Sequence, residues 1–118
     1  MTYYVYGIKN ITNNKFYIGI TNDLGKRFSE HIGYGLRGCD NNFEGSFPSK
    51  KGLYLDMFKL GITNFIFKAI EKVDSDNMID IYNREEYWIR RCNSVDNGYN
   101  SIYNASEYSK GLGTANIA

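Results

Sequence analysis

Two segments rich in aromatic and β-branched residues, separated by a turn, constrain the fold of this chain more than any other feature. Residues 2–10 and 16–21 each have the composition of a β-strand, and residues 11–15 between them read Ile-Thr-Asn-Asn-Lys. Asparagine tolerates the left-handed backbone angles that tight turns need, so this stretch predicts a β-hairpin.

If the hairpin loop has an even number of residues, the side chains of the two strands fall into two sets on opposite faces. We expect one face to pack into the core: Val5, Ile18 and Ile20. The other face would group phenols beside a glycine: Tyr4, Tyr6, Ile8, Tyr17 and Gly19. A glycine in a strand lets a ligand or another backbone come close.

The rest of the chain predicts three helices and one more strand. Asn22-Asp23 offers a helix cap, and residues 33–48, rich in glycine and holding the only proline, predict a long surface loop. A helix over residues 53–60, a strand over 65–70 and a helix capped by residues 74–76 follow. The order β-β-α-α-β-α indicates an α+β fold, with a small three-stranded antiparallel sheet flanked by helices.

The length of the chain, 118 residues, fits one domain. We expect that domain to occupy residues 1–104 and a flexible tail to follow at 105–118. The sequence has no apolar run long enough to cross a membrane and no signal-peptide pattern at its start. Cys39 and Cys92 lack metal-ligand spacing, so we expect reduced thiols in a cytoplasmic protein, with a disulfide or zinc site as the alternative.

The charge of the chain is nearly balanced, at +1. Residues 1–60 hold eight Lys and Arg against five Asp and Glu, and residues 61–118 hold six against eight. The N-terminal half would therefore face phosphate if the ligand is a nucleic acid, although an imbalance of this size also fits a solvated surface.

Six residues together suggest phosphodiester cleavage, which needs a base for water, a cation for the pentavalent phosphorane and an acid that binds metal. They are Tyr6, Tyr17, Gly19, Arg27 and His31, followed far downstream by Glu85. Taken singly, each has a structural explanation, such as a strand tyrosine that packs or a charge on a helix surface. Their joint occurrence favours a small nuclease.

The same residues carry a family resemblance. Tyr4-Val5-Tyr6, ten residues, Tyr17-Ile18-Gly19, and then Arg27 and His31 resemble the two-part motif of the GIY-YIG nucleases. Three later stretches are similar to that family's middle helix and third strand, metal-binding helix and closing motif: residues 53–65, 84–89 and 98–100. The match covers about residues 3–100 and is nearest to the catalytic domain of the phage homing endonucleases.

The resemblance implies a role for each matched residue. Tyr6 would be the general base or orient the attacking water, which demands a lowered pKa or transient deprotonation. Tyr17 would contact the scissile phosphate, and Arg27 would stabilise the phosphorane. His31 would accept a hydrogen bond from Tyr6 or contact phosphate. Glu85 would hold one Mg²⁺, for which Mn²⁺ is the expected substitute.

The expected substrate contacts come from several segments of the chain. They are Gly19, which would leave space for the DNA backbone, Lys26, Lys50, Lys51, and Asn100, which would support the site from behind. Two features depart from the family pattern. The first motif lacks its usual leading glycine, and the loop after the first helix lacks the histidine that some homing members use, leaving Lys50 or Lys51 as the nearest phosphate contact.

The resemblance therefore implies a Mg²⁺-dependent DNA endonuclease. A phage or mobile-element nuclease, a restriction or defence nuclease and a repair nuclease all fit, and the first is preferred. We expect a monomer or weak dimer that nicks one strand at a time in the cytoplasm of a bacterial or phage-infected cell, without a membrane or protein partner. The alternative is a module of the same fold that binds nucleic acid without cutting it. Degenerate family members usually lose the arginine or the acid, and this chain has both.

Overall fold

The computed structural model describes residues 1–38 and 52–103. Its elements, in chain order, are β1 (Thr2–Asn10), β2 (Lys15–Thr21), α1 (Leu24–Arg37), α2 (Leu53–Leu60), a 3₁₀ turn (Ile62–Asn64), β3 (Phe65–Asp74) and α3 (Met78–Arg91). This order confirms the predicted α+β fold. The predictions for Lys50, Lys51, Cys39, most of the central loop and the C-terminal tail lie outside the described residues.

The three strands form one antiparallel sheet in the order β2-β1-β3. The hairpin between β1 and β2 closes on the pair Asn10 and Lys15, so its loop has the even length that the face assignment required. Asn14 adopts a left-handed backbone with φ of 62°. This is the conformation that asparagine tolerates and for which the turn was predicted.

Both faces of the sheet are buried, whereas the sequence predicted a core on one face only. The phenol face packs against α1 and α2, and its buried cluster contains Tyr6, Ile8, Tyr54 and Met57. The opposite face packs against α3 in a cluster built on Val5, Ile18 and Ile89. The phenols are therefore covered by helices, because two layers of helices sandwich so small a sheet.

Strand β3 contains a β-bulge where it pairs with β1. Tyr6 pairs with Ala69 but Val5 pairs with Glu71, so Ile70 is the extra residue. Beyond the bulge, Glu71 lies on the α3 side of the sheet, where it accepts hydrogen bonds from Arg84 at 2.9 Å and Trp88 at 2.8 Å. The bulge thus ties α3 to the sheet.

Three predicted boundaries were wrong. The strand predicted over residues 65–70 continues to Asp74 as β3. Residues 33–37 belong to α1 and not to a loop, because the helix continues to Gly38, whose left-handed backbone at φ 66° ends it. The cap of α3 is Asn77, whose side chain accepts from the amide of Ile79. The cap of α1 is Asp23, one of the two predicted residues.

No helix within residues 1–38 and 52–103 is long and apolar enough to span a membrane. Cys92 is a free cysteine, as predicted, and is half-buried beside α3.

Candidate active site

Tyr6 lies at the centre of the candidate site, on the middle strand of the sheet. Its side chain is only 1% exposed, and its hydroxyl is 2.7 Å from Nε2 of His31. Nε of Arg27 donates to the same hydroxyl at 3.3 Å. Arg27 and His31 reach it from one face of α1, as their spacing of four residues predicted.

Gly19 sits directly opposite Tyr6 on β2. A Cβ atom at Gly19 would lie 2.6 Å from the Tyr6 hydroxyl and 2.7 Å from the carbon that bears it. The space that we expected for a DNA backbone is thus occupied by the Tyr6 ring. Glycine is required here because the phenol folds across the neighbouring strand.

Tyr17 joins the cluster from β2. Its ring centroid lies 6.3 Å from that of Tyr6 and 5.6 Å from that of His31. Burial raises the pKa of Tyr17, the positive charge of Arg27 lowers it, and the carboxyl group of Glu85 raises it. Tyr17 is therefore within electrostatic reach of both the cation and the acid.

The pKa of Tyr6 is raised and not lowered, so the expectation of a lowered pKa was wrong. Burial raises it well above the usual value for tyrosine, and the nearby Tyr17 raises it further. The charge and the hydrogen bond of Arg27 both lower the pKa of Tyr6, but their effect is smaller than that of burial. At neutral pH Tyr6 is a neutral phenol, because a phenolate is poorly stabilised away from water.

Arg27 is held in place by a second contact. Its Nη1 atom donates to Oε1 of Glu30 at 2.8 Å, one turn further along α1. The outer face of α1 continues as an open depression of about 380 Å³, lined by Lys26, Ser29, Glu30, Gly33, Tyr34 and Arg37. Lys26 is exposed in the first turn of α1.

Glu85 has a buried carboxyl group that forms no hydrogen bond or ion pair with the described residues. It lies on α3 and is 9% exposed. Burial raises its pKa to about 7. An uncompensated buried acid of this kind is stabilised when it binds a cation.

The residues around Glu85 suit a metal such as Mg²⁺, which takes few protein ligands, better than a metal that is bound entirely by side chains. The described residues contain no group of three or more His, Cys, Asp or Glu side chains able to share a metal. Mg²⁺ commonly takes one or two carboxylates and completes its shell with water and substrate phosphate. One carboxylate beside a phosphate site is therefore an adequate donor set for this ion.

Asn100 supports the site through the backbone. Its Oδ1 accepts from the amide of Ile18 and its Nδ2 donates to the carbonyl of Ile18, both at 2.8 Å. Ile18 lies between Tyr17 and Gly19, and the amide of Tyr99 donates to the carbonyl of Phe16, two residues earlier in β2. The side-chain oxygen and nitrogen of Asn100 both form hydrogen bonds to β2. This arrangement fits the expected supporting role better than direct contact with substrate.

Tyr54 is a member of the cluster that the sequence did not assign to the site. Its hydroxyl is 2.8 Å from Nδ1 of His31, and its side chain is 4% exposed. The sequence placed Tyr54 among the apolar residues of an amphipathic helix. Nothing in the spacing along α2 distinguishes a tyrosine that packs from one that meets a histidine of α1.

The model of the GIY-YIG catalytic domain matches residues 2–100. The chain therefore belongs to the GIY-YIG family and carries that family's nuclease domain. It is 34% identical over 98 residues to intron-associated endonuclease 1 of enterobacteria phage T4. That alignment covers 81% of this chain and 35% of the phage protein, so the chain spans about a third of that relative's length.

Two solved structures share the fold. One is a point mutant of the catalytic domain of the intron endonuclease I-TevI, with a TM-score of 0.68 and 30% sequence identity, over 87% of this chain and 96% of that one. The other is the catalytic domain of the homing endonuclease I-TevI, with a TM-score of 0.66 and 30% identity, over 85% and 98%. The predicted family and its phage homing branch are confirmed.

Proposed function

We propose that the chain is a Mg²⁺-dependent DNA endonuclease that hydrolyses phosphodiester bonds and cuts one strand at a time. The observation that carries this proposal is the convergence of two phenols, a guanidinium and an imidazole, with an unpaired buried acid in electrostatic reach. A single set of such groups can serve one phosphate at a time. Cutting both strands would need a second encounter or a weak dimer.

The phosphate is expected to bind where the Arg27 guanidinium faces the two phenols. Its planar N–H donors suit phosphate oxygens, and its charge offsets the charge that develops on the phosphorane. Tyr17 would donate a hydrogen bond to the same phosphate. The exposed ammonium of Lys26 would hold the adjoining phosphate group by charge alone.

Tyr6 would serve as the base through a paired proton transfer. The attacking water gives a proton to the Tyr6 oxygen while the Tyr6 hydroxyl gives its own proton to Nε2 of His31, 2.7 Å away. Free phenolate does not accumulate, which is consistent with the raised pKa of Tyr6. The water oxygen forms the new bond to phosphorus as the bond to the 3′ oxygen breaks.

Glu85 would hold the metal ion, with water and phosphate as its other ligands. When bound, Mg²⁺ polarises the phosphate and supports the departing oxygen. We place the reaction on DNA in the cytoplasm of a bacterial or phage-infected cell. The non-cutting alternative is not favoured, since Arg27 and Glu85 are both present, Arg27 donates to the Tyr6 hydroxyl and the charge of Glu85 acts on Tyr17.

The proposal is tested with supercoiled plasmid in Mg²⁺ or in EDTA. We expect nicking only in Mg²⁺, and a loss of about 10²-fold or more in Arg27→Ala and in Glu85→Gln, because each removes charge stabilisation of the transition state. Glu86→Gln, the next residue of α3, and Arg90→Ala, an exposed arginine, are the matched controls and should nick normally. Plasmid binding without nicking by the wild-type chain would favour the non-cutting alternative.

A further inference from the structure

His31 makes two hydrogen bonds of similar length from a fully buried position. It is the only histidine of the chain and is 0% exposed. Its Nε2 is 2.7 Å from the Tyr6 hydroxyl and its Nδ1 is 2.8 Å from the Tyr54 hydroxyl. A neutral imidazole has one N–H donor and one bare acceptor, so the two phenols must play opposite roles towards it.

The contact between Arg27 and Tyr6 favours Tyr6 as the phenol that donates to His31. Nε–H of Arg27 already donates to the Tyr6 oxygen at 3.3 Å. A cation at that oxygen weakens it as an acceptor and strengthens its O–H as a donor. If Tyr6 donates to Nε2 rather than to the Tyr17 hydroxyl, with which it also forms a hydrogen bond, Nδ1 carries the ring proton and donates to Tyr54.

We propose that Tyr54 is a positioning residue of the site. Its hydroxyl oxygen accepts a hydrogen bond from Nδ1–H of His31, holds the ring in that tautomer, and leaves Nε2 free of hydrogen to receive the Tyr6 proton. The inference rests on the proposed function for its catalytic meaning. The tautomer itself is a property of the folded chain without substrate.

The packing of Tyr54 suits this role. It lies in the first turn of α2, with its ring centroid 5.3 Å from that of Tyr34 and 5.8 Å from that of His31. A buried tyrosine with few accessible rotamers keeps its hydroxyl in one place. The groups that reach the His31 ring thus come from β1, β2 and α2.

Nuclear magnetic resonance can read the tautomer directly, because a single histidine gives one pair of ring nitrogen signals. In wild-type protein labelled with ¹⁵N-histidine, we expect Nδ1 to have the shift of a protonated nitrogen and Nε2 that of a bare one. Tyr54→Phe keeps the ring and removes the acceptor, so the two shifts should move towards each other. A wild-type ring with hydrogen on Nε2, or on both nitrogens, would overturn the proposal.

Nicking kinetics give the second readout. We expect Tyr54→Phe to lower kcat by about 10-fold to 100-fold with KM unchanged and to alter the pH dependence of kcat, since it disturbs the proton acceptor and not DNA binding. Tyr103→Phe, which removes a surface hydroxyl bonded to Asp96 at 3.2 Å, is the matched control and should match wild type. An unchanged kcat and pH profile in Tyr54→Phe would refute the positioning role.

The two readouts also separate this inference from the proposed function. If wild-type protein does not nick DNA, the nuclease proposal fails, while the ring nitrogen shifts still decide the tautomer. If wild-type protein nicks but its ring has the opposite tautomer, the inference fails alone. Unfolding curves of Tyr54→Phe show whether its packing is intact.

Discussion

At the scale of single residues, burial affects Tyr6 and Glu85 in the same direction but with different consequences. Each side chain is almost fully covered, and in each case burial raises the pKa of its acid group. Tyr6 has a histidine and an arginine within hydrogen-bonding distance, so its proton has a defined acceptor. Glu85 has no such neighbour among the described residues, so a cation or a proton must compensate its charge.

The first residue-scale prediction concerns stability and pH. A free glutamate titrates near 4.3, whereas Glu85 titrates at about 7 in the folded protein, so the folded state binds the proton more tightly. In metal-free buffer, stability should be highest below the pKa of the unfolded chain and should fall by ~3 kcal/mol as the pH rises through 7. Glu85→Gln should remove that fall.

Urea unfolding at pH 5 and at pH 8, in EDTA, measures the effect. Glu86→Gln serves as the control and should retain the wild-type pH dependence. Adding Mg²⁺ at pH 8 should stabilise the wild-type protein but not Glu85→Gln, because a ligand that binds only the folded state raises its stability. The same loss of stability with pH in wild type and in Glu85→Gln would contradict the assignment of this acid.

At the scale of secondary-structure elements, β2 is aligned by a segment that follows α3. Asn100 bonds to both backbone groups of Ile18, and the amide of Tyr99 bonds to Phe16. The Tyr99 hydroxyl also donates to Asp56 of α2 at 2.6 Å. One short segment therefore links the edge strand that carries Tyr17 and Gly19 to the helix that carries Tyr54.

We predict that Asn100→Ala lowers the free energy of unfolding by about 1–3 kcal/mol, because it leaves the N–H and C=O of Ile18 buried without partners. Urea denaturation measures the change, and Asn97→Ala, at an exposed position of the same turn, should cost less than about 0.5 kcal/mol. Nicking under conditions where Asn100→Ala is folded should also fall, since Tyr17 and Gly19 flank the released residue. Equal stability of the two variants would exclude the proposed support of β2.

At the scale of the whole molecule, local charge matters more than net charge. The chain carries a formal charge of only +1, yet Lys26, Arg27 and Arg37 all lie on α1, and Arg27 reaches the Tyr6 hydroxyl. Such a row of cations can follow a DNA backbone although the rest of the surface is balanced. The opposite helix, α3, carries the acid, an ion pair within the helix between Arg90 and Glu86, and an ion pair from Arg84 to Glu71 of β3.

The cations of α1 should therefore account for the salt dependence of the affinity for DNA. We expect Lys26→Ala and Arg37→Ala each to reduce the slope of log K against log salt by about 0.9, the value for one phosphate contact on duplex DNA. Lys72→Ala, an exposed lysine of β3, is the control and should leave the slope unchanged. Fluorescence anisotropy with a labelled duplex in Ca²⁺ or EDTA measures binding without cleavage. Equal slopes for all three variants would contradict this DNA path.

The sequence alone determined the order of the elements, the hairpin and the residues that carry the family motif. These features depend on short spacings: alternation along a strand, Asn14 in a turn, and Arg27 one helical turn before His31. Local backbone geometry is enough to place them, because the periods of strands and helices are nearly the same in every protein.

The chemical state of the site was decided only by the tertiary structure. Burial comes from helices that are distant in sequence, and it raised the pKa of Tyr6 where the motif had suggested a lower one. The same packing filled the space at Gly19 and brought Tyr54 to His31. A pKa or a hydrogen bond of this kind depends on the groups within a few ångströms, and these groups come together only when the sheet and both helical layers assemble.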